Sequence, residues 1–280
     1  MESDGLHLNI SYVGSCGIIL SGEQKAALET SLVILQNNHK FNRVFLWGKI
    51  LGVKNDYFIA QGTGNDEMAD RKTLYSLDCV AWGLLPQATQ AIRDQCSVVK
   101  GRFHGDPAHE YEHIEIQKIG EGEDSTEEES TNRSFEGISI VVCFIGCPPL
   151  SYNMCTLVHS VCPGLFYNER LRNFYILEGL SVTEAGKQQN YCHFREPVRL
   201  NEKSLLEKAD LDKSIDFLDP INEDIPKGSW SLKFERGSGL VTITSLLWPG
   251  TTFYHVPHTR KYGWIYVGTG EKNKDLPFML

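Results

Sequence analysis

The stretch FLWGKILGVKNDYFIAQG (residues 45–62) constrains the fold more than any other part of this 280-residue chain. Residues 43–51 are dense in Val, Phe, Leu, Trp and Ile. Val53-Lys54-Asn55-Asp56 carries turn chemistry, and residues 57–60 are aromatic and apolar again. The stretch is too apolar for a loop and too punctuated for a single helix. It predicts a hairpin whose first strand is buried on both faces for much of its length, and the 41% apolar composition is enough for a real core.

Other elements follow from period and punctuation. Ser21 with Gln24 three residues on makes a capping-box pattern, and Leu28, Leu32 and Leu35 recur at helical spacing, with Asn37-Asn38 as the stop. Short strands are expected over 73–77 and 97–103, and a helix behind Pro86. HIEIQ (113–117) alternates as a half-buried strand and runs into EGEDSTEEESTNRS (121–134), which reads as a solvated acidic loop or linker. Residues 137–168 carry no Asp, Glu, Lys or Arg, and their apolar run stops at Pro148-Pro149, well short of the roughly 20 residues that span a bilayer. A helix is expected over 201–211, a second hairpin from strands at 230–235 and 240–248, and a last aromatic strand at 262–267. Together these predict an α+β fold: a mostly antiparallel β-sheet with an N-terminal helix, a few short helices and an irregular middle segment. The expected organisation is a β-rich part at 1–120, an acidic linker and low-charge Cys-rich segment at 121–178, and a β-rich part at 179–280 packing with the first as one domain.

Charge narrows the partners. Lys+Arg number 27 against 36 Asp+Glu, a net charge of −9 with no basic stripe, which argues against nucleic acid and against an anionic membrane surface. MESDGLHLNISYVG has neither a secretory nor an Arg-rich transit pattern. The sequons at Asn9 and Asn132 are therefore expected to be silent, and the eight cysteines to be free thiols.

No motif carries convincing chemistry. His109-Glu110-Tyr111-Glu112-His113 satisfies HExxH, which on a helix sets two imidazoles on one zinc with the Glu acting on its water. Here Gly105-Asp106-Pro107 leads in and a strand follows. Residues four apart on a strand lie about 13 Å apart, too far for one zinc. A zinc hydrolase on His109, Glu110 and His113 is the rival reading. Cys143, Cys147, Cys155 and Cys162 offer only one closely spaced pair, so no metal is expected there. His255 and His258 flank Pro257 and read as a surface loop. VGTGEK (267–272) is a turn that only faintly echoes a phosphate loop, and His193 with Arg195 reads as structural. No cofactor is expected. The aromatic surplus does stand out: Trp47, Tyr57, Trp248, Tyr254, Tyr262 and Trp264 on strands beside turn glycines serve either as core or as interface anchors.

These hairpins carry a resemblance. FNRVFLWGKILGVKNDYFIAQG, DRKTLYSLDCVAW, SVVKGRFHGDP, EYEHIEIQK, HFREPV and LLWPGTTFYHVPHTRKYGWIYVGTGEKNKDLPFML are similar to the radial spoke head protein 4/6/9 group, and within it to the homologues of radial spoke head protein 9. The likeness covers residues 1–136 and 179–280. Residues 137–178 depart from it, as though translated intronic or alternative-exon sequence replaced native core elements there. The resemblance implies a non-catalytic structural subunit of the ciliary or flagellar axoneme, in the cytoplasm and cytoskeleton. It would pack with the radial spoke head protein 4 and 6 paralogues and other spoke-head subunits. It would also meet the central-pair apparatus indirectly and help regulate motility.

Overall fold

The computed structural model describes residues 1–65, 71–86, 89, 92, 101–119, 127–136, 141, 165–168, 173–176, 181–194, 218–259 and 261–279. Two helices lead. Helix α1 (Leu6–Val13) was not among the expected elements; it has no side-chain cap, and only the buried stripe Leu6, Ile10, Val13 signals it. Helix α2 (Gly22–His39) has the expected capping box: Ser21 Oγ accepts from the Gln24 N–H at 3.1 Å, and Gln24 Oε1 accepts from the Ser21 N–H at 3.2 Å. Its buried stripe includes Leu28, Leu32 and Leu35. The helix runs past Asn37-Asn38 and ends at Lys40, left-handed with φ 53°.

Strands β1 (Arg43–Ile50), β2 (Tyr57–Thr63), β3 (Arg71–Ser76) and β4 (Gly83–Leu84) form an antiparallel meander. Three antiparallel ribbons follow: β5 (Glu110–Ile119) with β6 (Glu127–Glu136), β7 (Leu165–Asn168) with β8 (Asn173–Ile176), and β9 (Cys192–Phe194) with β10 (Leu218–Pro220). A second meander comprises β11 (Trp230–Glu235), β12 (Leu240–Ser245), β13 (Thr251–His255) and β14 (Tyr262–Gly268). The two meanders join into one 8-stranded sheet in the order β11-β12-β13-β14-β1-β2-β3-β4. The joint is the parallel pair β1–β14; the other pairings within this sheet are antiparallel. The architecture is the expected α+β arrangement.

The joint explains the WGKI segment. Parallel register runs from Gly48↔Tyr266 to Ile50↔Gly268, and the register of β1 against β2 shifts between Leu46 and Gly48, so Trp47 is the extra residue of a bulge. At Gly48 a Cβ would stand 2.0 Å from the Tyr266 carbonyl oxygen, so the two backbones meet only because no side chain intervenes. Before the bulge, β1 and β14 part and the first residues enter between them. The Met1 ammonium donates to Leu46 O at 2.8 Å and to Trp264 O at 2.9 Å, and the Leu46 and Ser3 N–H groups donate to Met1 O and Val44 O.

Both faces of this sheet are covered, as the unbroken burial of β2 requires. On one face α1 and α2 pack Leu6, Ile10, Leu28 and Leu32 against Val44, Leu46, Phe58, Ala60 and Ile265. On the other, Trp47, Tyr57, Ile59, Trp264 and Tyr266 pack with Phe103, Val141, Ala185, Tyr191 and Ile221. Period two separates the sets: Trp264 and Tyr266 face one side and Ile265 the other.

Three expectations need correction. The acidic stretch is not all loop: its part from Glu127 on is strand β6, paired residue by residue with β5, including Lys118↔Glu128 and His113↔Arg133. Composition marks such a run as solvated, but a two-stranded ribbon can hold its backbone bonds while keeping charged side chains. Residues 101–103 are irregular rather than a strand, and the carbonyls of Phe103 and His104 accept from the Val53 and Lys54 N–H groups of the β1–β2 turn at 2.8 Å each. His255 belongs to β13 and is buried, whereas His258 sits in an exposed turn at φ 61°. The expected helices behind Pro86 and over 201–211 lie outside the described residues, apart from Thr89 and Ile92.

Replacing Gly48 with alanine is expected to force β1 away from β14 and lower stability by about 3 kcal/mol, read from urea unfolding. A loss within experimental error would show that the joint tolerates a side chain.

Candidate interaction surface

The aromatic strands build a layer. Trp47 meets Trp264 edge-on at 5.4 Å and Tyr266 at 5.2 Å, and Tyr191 meets Phe253 edge-on at 6.0 Å. The segment after the helical turn Val182–Ala185 brings Tyr191 onto this layer, where its OH donates to Ala185 O at 2.8 Å. Tyr191 also lies 3.4 Å from His255 Nδ1. Of the candidate interface residues, Trp47, Tyr57, Tyr254 and Trp264 are at most 3% exposed. Trp248 and Tyr262 are partly buried against the same layer, at opposite ends of the β13–β14 pair by register. Tyr254 faces the helices, stacking on Tyr12 at 5.2 Å and donating its OH to Asn9 Oδ1 at 2.9 Å. Asn9 of the first sequon thus has its side chain engaged with the sheet.

The HEYEH motif lies at the start of a strand. Glu110 opens β5 and His113 pairs with Arg133 in it, so the motif lacks the helix that would set both imidazoles on one face. His109 instead stacks on His104 at 3.9 Å and meets Tyr111 edge-on at 4.8 Å. The Tyr111 hydroxyl accepts from the His104 N–H at 2.6 Å. Among the described residues no three His, Cys, Asp or Glu side chains gather as a metal site. Cys143, Cys147, Cys155 and Cys162 lie outside the described residues, as does Arg195. Cys16 and Cys79 are free thiols, and burial first, then the Asp78 charge, pushes Cys79 up to about 12. Val267 and Gly268 of the VGTGEK segment end β14, and the rest is irregular: Gly270, left-handed at φ 82°, donates its N–H to Tyr266 OH at 2.9 Å. No described helix is long and apolar enough to cross a membrane.

The chain's relatives bear directly on what this layer serves. A family model described as "Radial spokehead-like protein" matches residues 2–142. The cow and human proteins named "Radial spoke head protein 9 homolog" are each 49% identical to this chain, over 284 and 283 residues, with 100% of both sequences covered. The zebrafish protein of that name is also 49% identical over 284 residues, again end to end. The chain belongs to the radial spoke head protein 9 family. The family-model match takes in α1, α2 and the first meander, whereas the second meander, which completes the sheet, is matched by the full-length relatives. Those matches run through residues 137–178, because the 284 aligned positions with the cow protein include the whole chain. The departure noted there in sequence is accommodated within the family's length.

Buried tyrosines on both faces of the sheet give this member of the radial spoke head family a defined response to alkali. Burial is the main cause that raises the tyrosine hydroxyls of Tyr57, Tyr191 and Tyr254 well above their ordinary value, and it raises Tyr266 to about 12. Each folded value exceeds the unfolded one near 10, so the folded state holds more protons above that pH. The stabilisation is complete below pH about 10 and is lost as pH rises toward the folded values, by up to about 1.4 kcal/mol per pH unit for each tyrosine. Urea unfolding across the alkaline range is expected to show this fall, with the tyrosinate absorbance of these four side chains appearing only as structure is lost. Ionisation of these tyrosines in an intact fold would contradict the burial argument.

Proposed function

We propose that the protein is a non-catalytic structural subunit of the axonemal radial spoke head, supporting assembly of the head and regulation of ciliary or flagellar motility through contacts with the central-pair apparatus. The observation that carries this reading is end-to-end identity of 49% with radial spoke head protein 9 homologues of cow and human. The geometry agrees with a scaffold role: aromatic side chains are used to hold two meanders in one sheet, and HExxH from its second residue on lies in a strand. Its partners are the radial spoke head protein 4 and 6 paralogues and other spoke-head subunits, and its location is the axoneme. Trp248 and Tyr262, partly buried at the margins of the aromatic layer, are the candidate anchors that retain surface for a neighbour.

Co-purification from axonemes or after co-expression tests this. The paralogues are expected to be retained by the parent chain, and replacing Trp248 and Tyr262 together by alanine is expected to lower retention about tenfold or more while the chain stays folded. Trp47→Ala is expected to act differently, costing about 3–5 kcal/mol of stability. Failure to retain either paralogue would remove the assembly role. Retention unchanged in the double variant would remove these two anchors.

A further inference from the structure

Strand β11 ends the sheet on one side, since it pairs only with β12 among the described strands. Its backbone polarity follows from two bonds. Ser229 O turns inward to accept from the Leu246 N–H at 2.8 Å, and Trp230 O accepts from Gln188 Nε2 at 2.8 Å instead of from β12. Adjacent residues of an antiparallel strand direct their N–H and C=O groups to opposite sides. Ser231, Lys233 and Glu235 therefore bond to β12, while Leu232 and Phe234 direct theirs outward. The Gln188 amide occupies the Trp230 end of that outer row.

The side chains alternate in the same period. Leu232 and Phe234 lean on the aromatic layer, while Lys233 and Glu235 are exposed on the other face. Among the described residues the Glu235 carboxylate accepts from the local Ser238 hydroxyl, at 2.7 Å. An antiparallel strand laid on this edge has to present its own outward residues to Leu232 and Phe234. A second copy of β11 does so in a register centred on Phe234, which exchanges two backbone hydrogen bonds with its counterpart. In that register Lys233 of each copy lies opposite Glu235 of the other, at a non-hydrogen-bonded position where side chains approach most closely. Centring one residue earlier puts lysine against lysine. Centring two residues earlier brings Phe234 onto Trp230, whose carbonyl is taken by Gln188.

We propose that β11 is a self-complementary edge through which two copies of this chain pair antiparallel, with Phe234 on the two-fold axis and reciprocal Lys233–Glu235 pairs beside it. A lysine on a sheet edge ordinarily deters such pairing; here the glutamate two residues on converts it into a selector of register. The inference goes beyond membership of the spoke head and does not depend on it.

Sedimentation velocity of the full chain across the micromolar range tests the pairing. The parent is expected to form dimers. Lys233→Glu or Glu235→Lys alone turns both reciprocal attractions into repulsions and is expected to raise the dimer dissociation constant about tenfold or more. The combined K233E/E235K exchange restores opposite charges and is expected to recover the parent value within about threefold. Both positions are exposed, so at concentrations where the parent is monomeric all three variants are expected to melt with it. Amide hydrogen exchange on the unaltered chain is the second readout: the Phe234 N–H gains protection as concentration rises. A parent that stays monomeric overturns the proposal and leaves the edge for a strand of another polypeptide. A dimer indifferent to the single reversals, an exchange that fails to restore it, or a Phe234 amide blind to concentration overturns it equally.

Discussion

Everything in this fold depends on the first and last strands of the sheet's two halves lying side by side. Each meander by itself is an antiparallel run that leaves an edge open, and neither could cover its apolar faces alone. The parallel contact of β1 with β14 turns the two into one sheet with a shared core on each side. The contact is short, so its neighbours matter. Gly48 admits the opposing backbone, the Trp47 bulge turns an indole into the aromatic layer, and the Met1 ammonium bridges the carbonyls of Leu46 and Trp264 where the strands part.

This arrangement changes what an aromatic-rich surface pattern means in a radial spoke head protein. Trp47, Trp264, Tyr57 and Tyr254 look like binding residues when counted along strands, yet they fill the space on both faces of the joint. They hold the sheet and its two covering layers together, and little of their surface is left for a neighbour. The stacked pair His104 and His109 has a similar local role, in a loop whose carbonyls hold the β1–β2 turn.

Local signals were legible where the physics is local. The Ser21–Gln24 box, the Leu28/Leu32/Leu35 stripe, the turn at 53–56 and the alternation from Trp230 all depend on residues within a few positions of one another, and each lies where the pattern predicts. The rest was hidden for a common reason. That Gly48 must be glycine is decided by Tyr266, and that Trp47 is core is decided partly by Trp264 and Tyr266, far along the chain. His255 misled because Pro257 is a strong local loop signal, although Thr251 to His255 pair in register with β12 and β14. β6 misled because charge density speaks to solvation and not to backbone pairing. The candidate surface was legible as a residue class only; which aromatics reach the outside is a property of the layers that cover them.

The separation along the chain between β1 and β14 also sets a timetable for biosynthesis. Ile50 has Gly268 as its partner, so the ribosome must deliver more than two hundred further residues before the joint can close. At ordinary translation speeds this takes on the order of ten seconds or more. During that interval the nascent first meander displays an unpaired strand and apolar faces, which makes it a natural client for cotranslational chaperones.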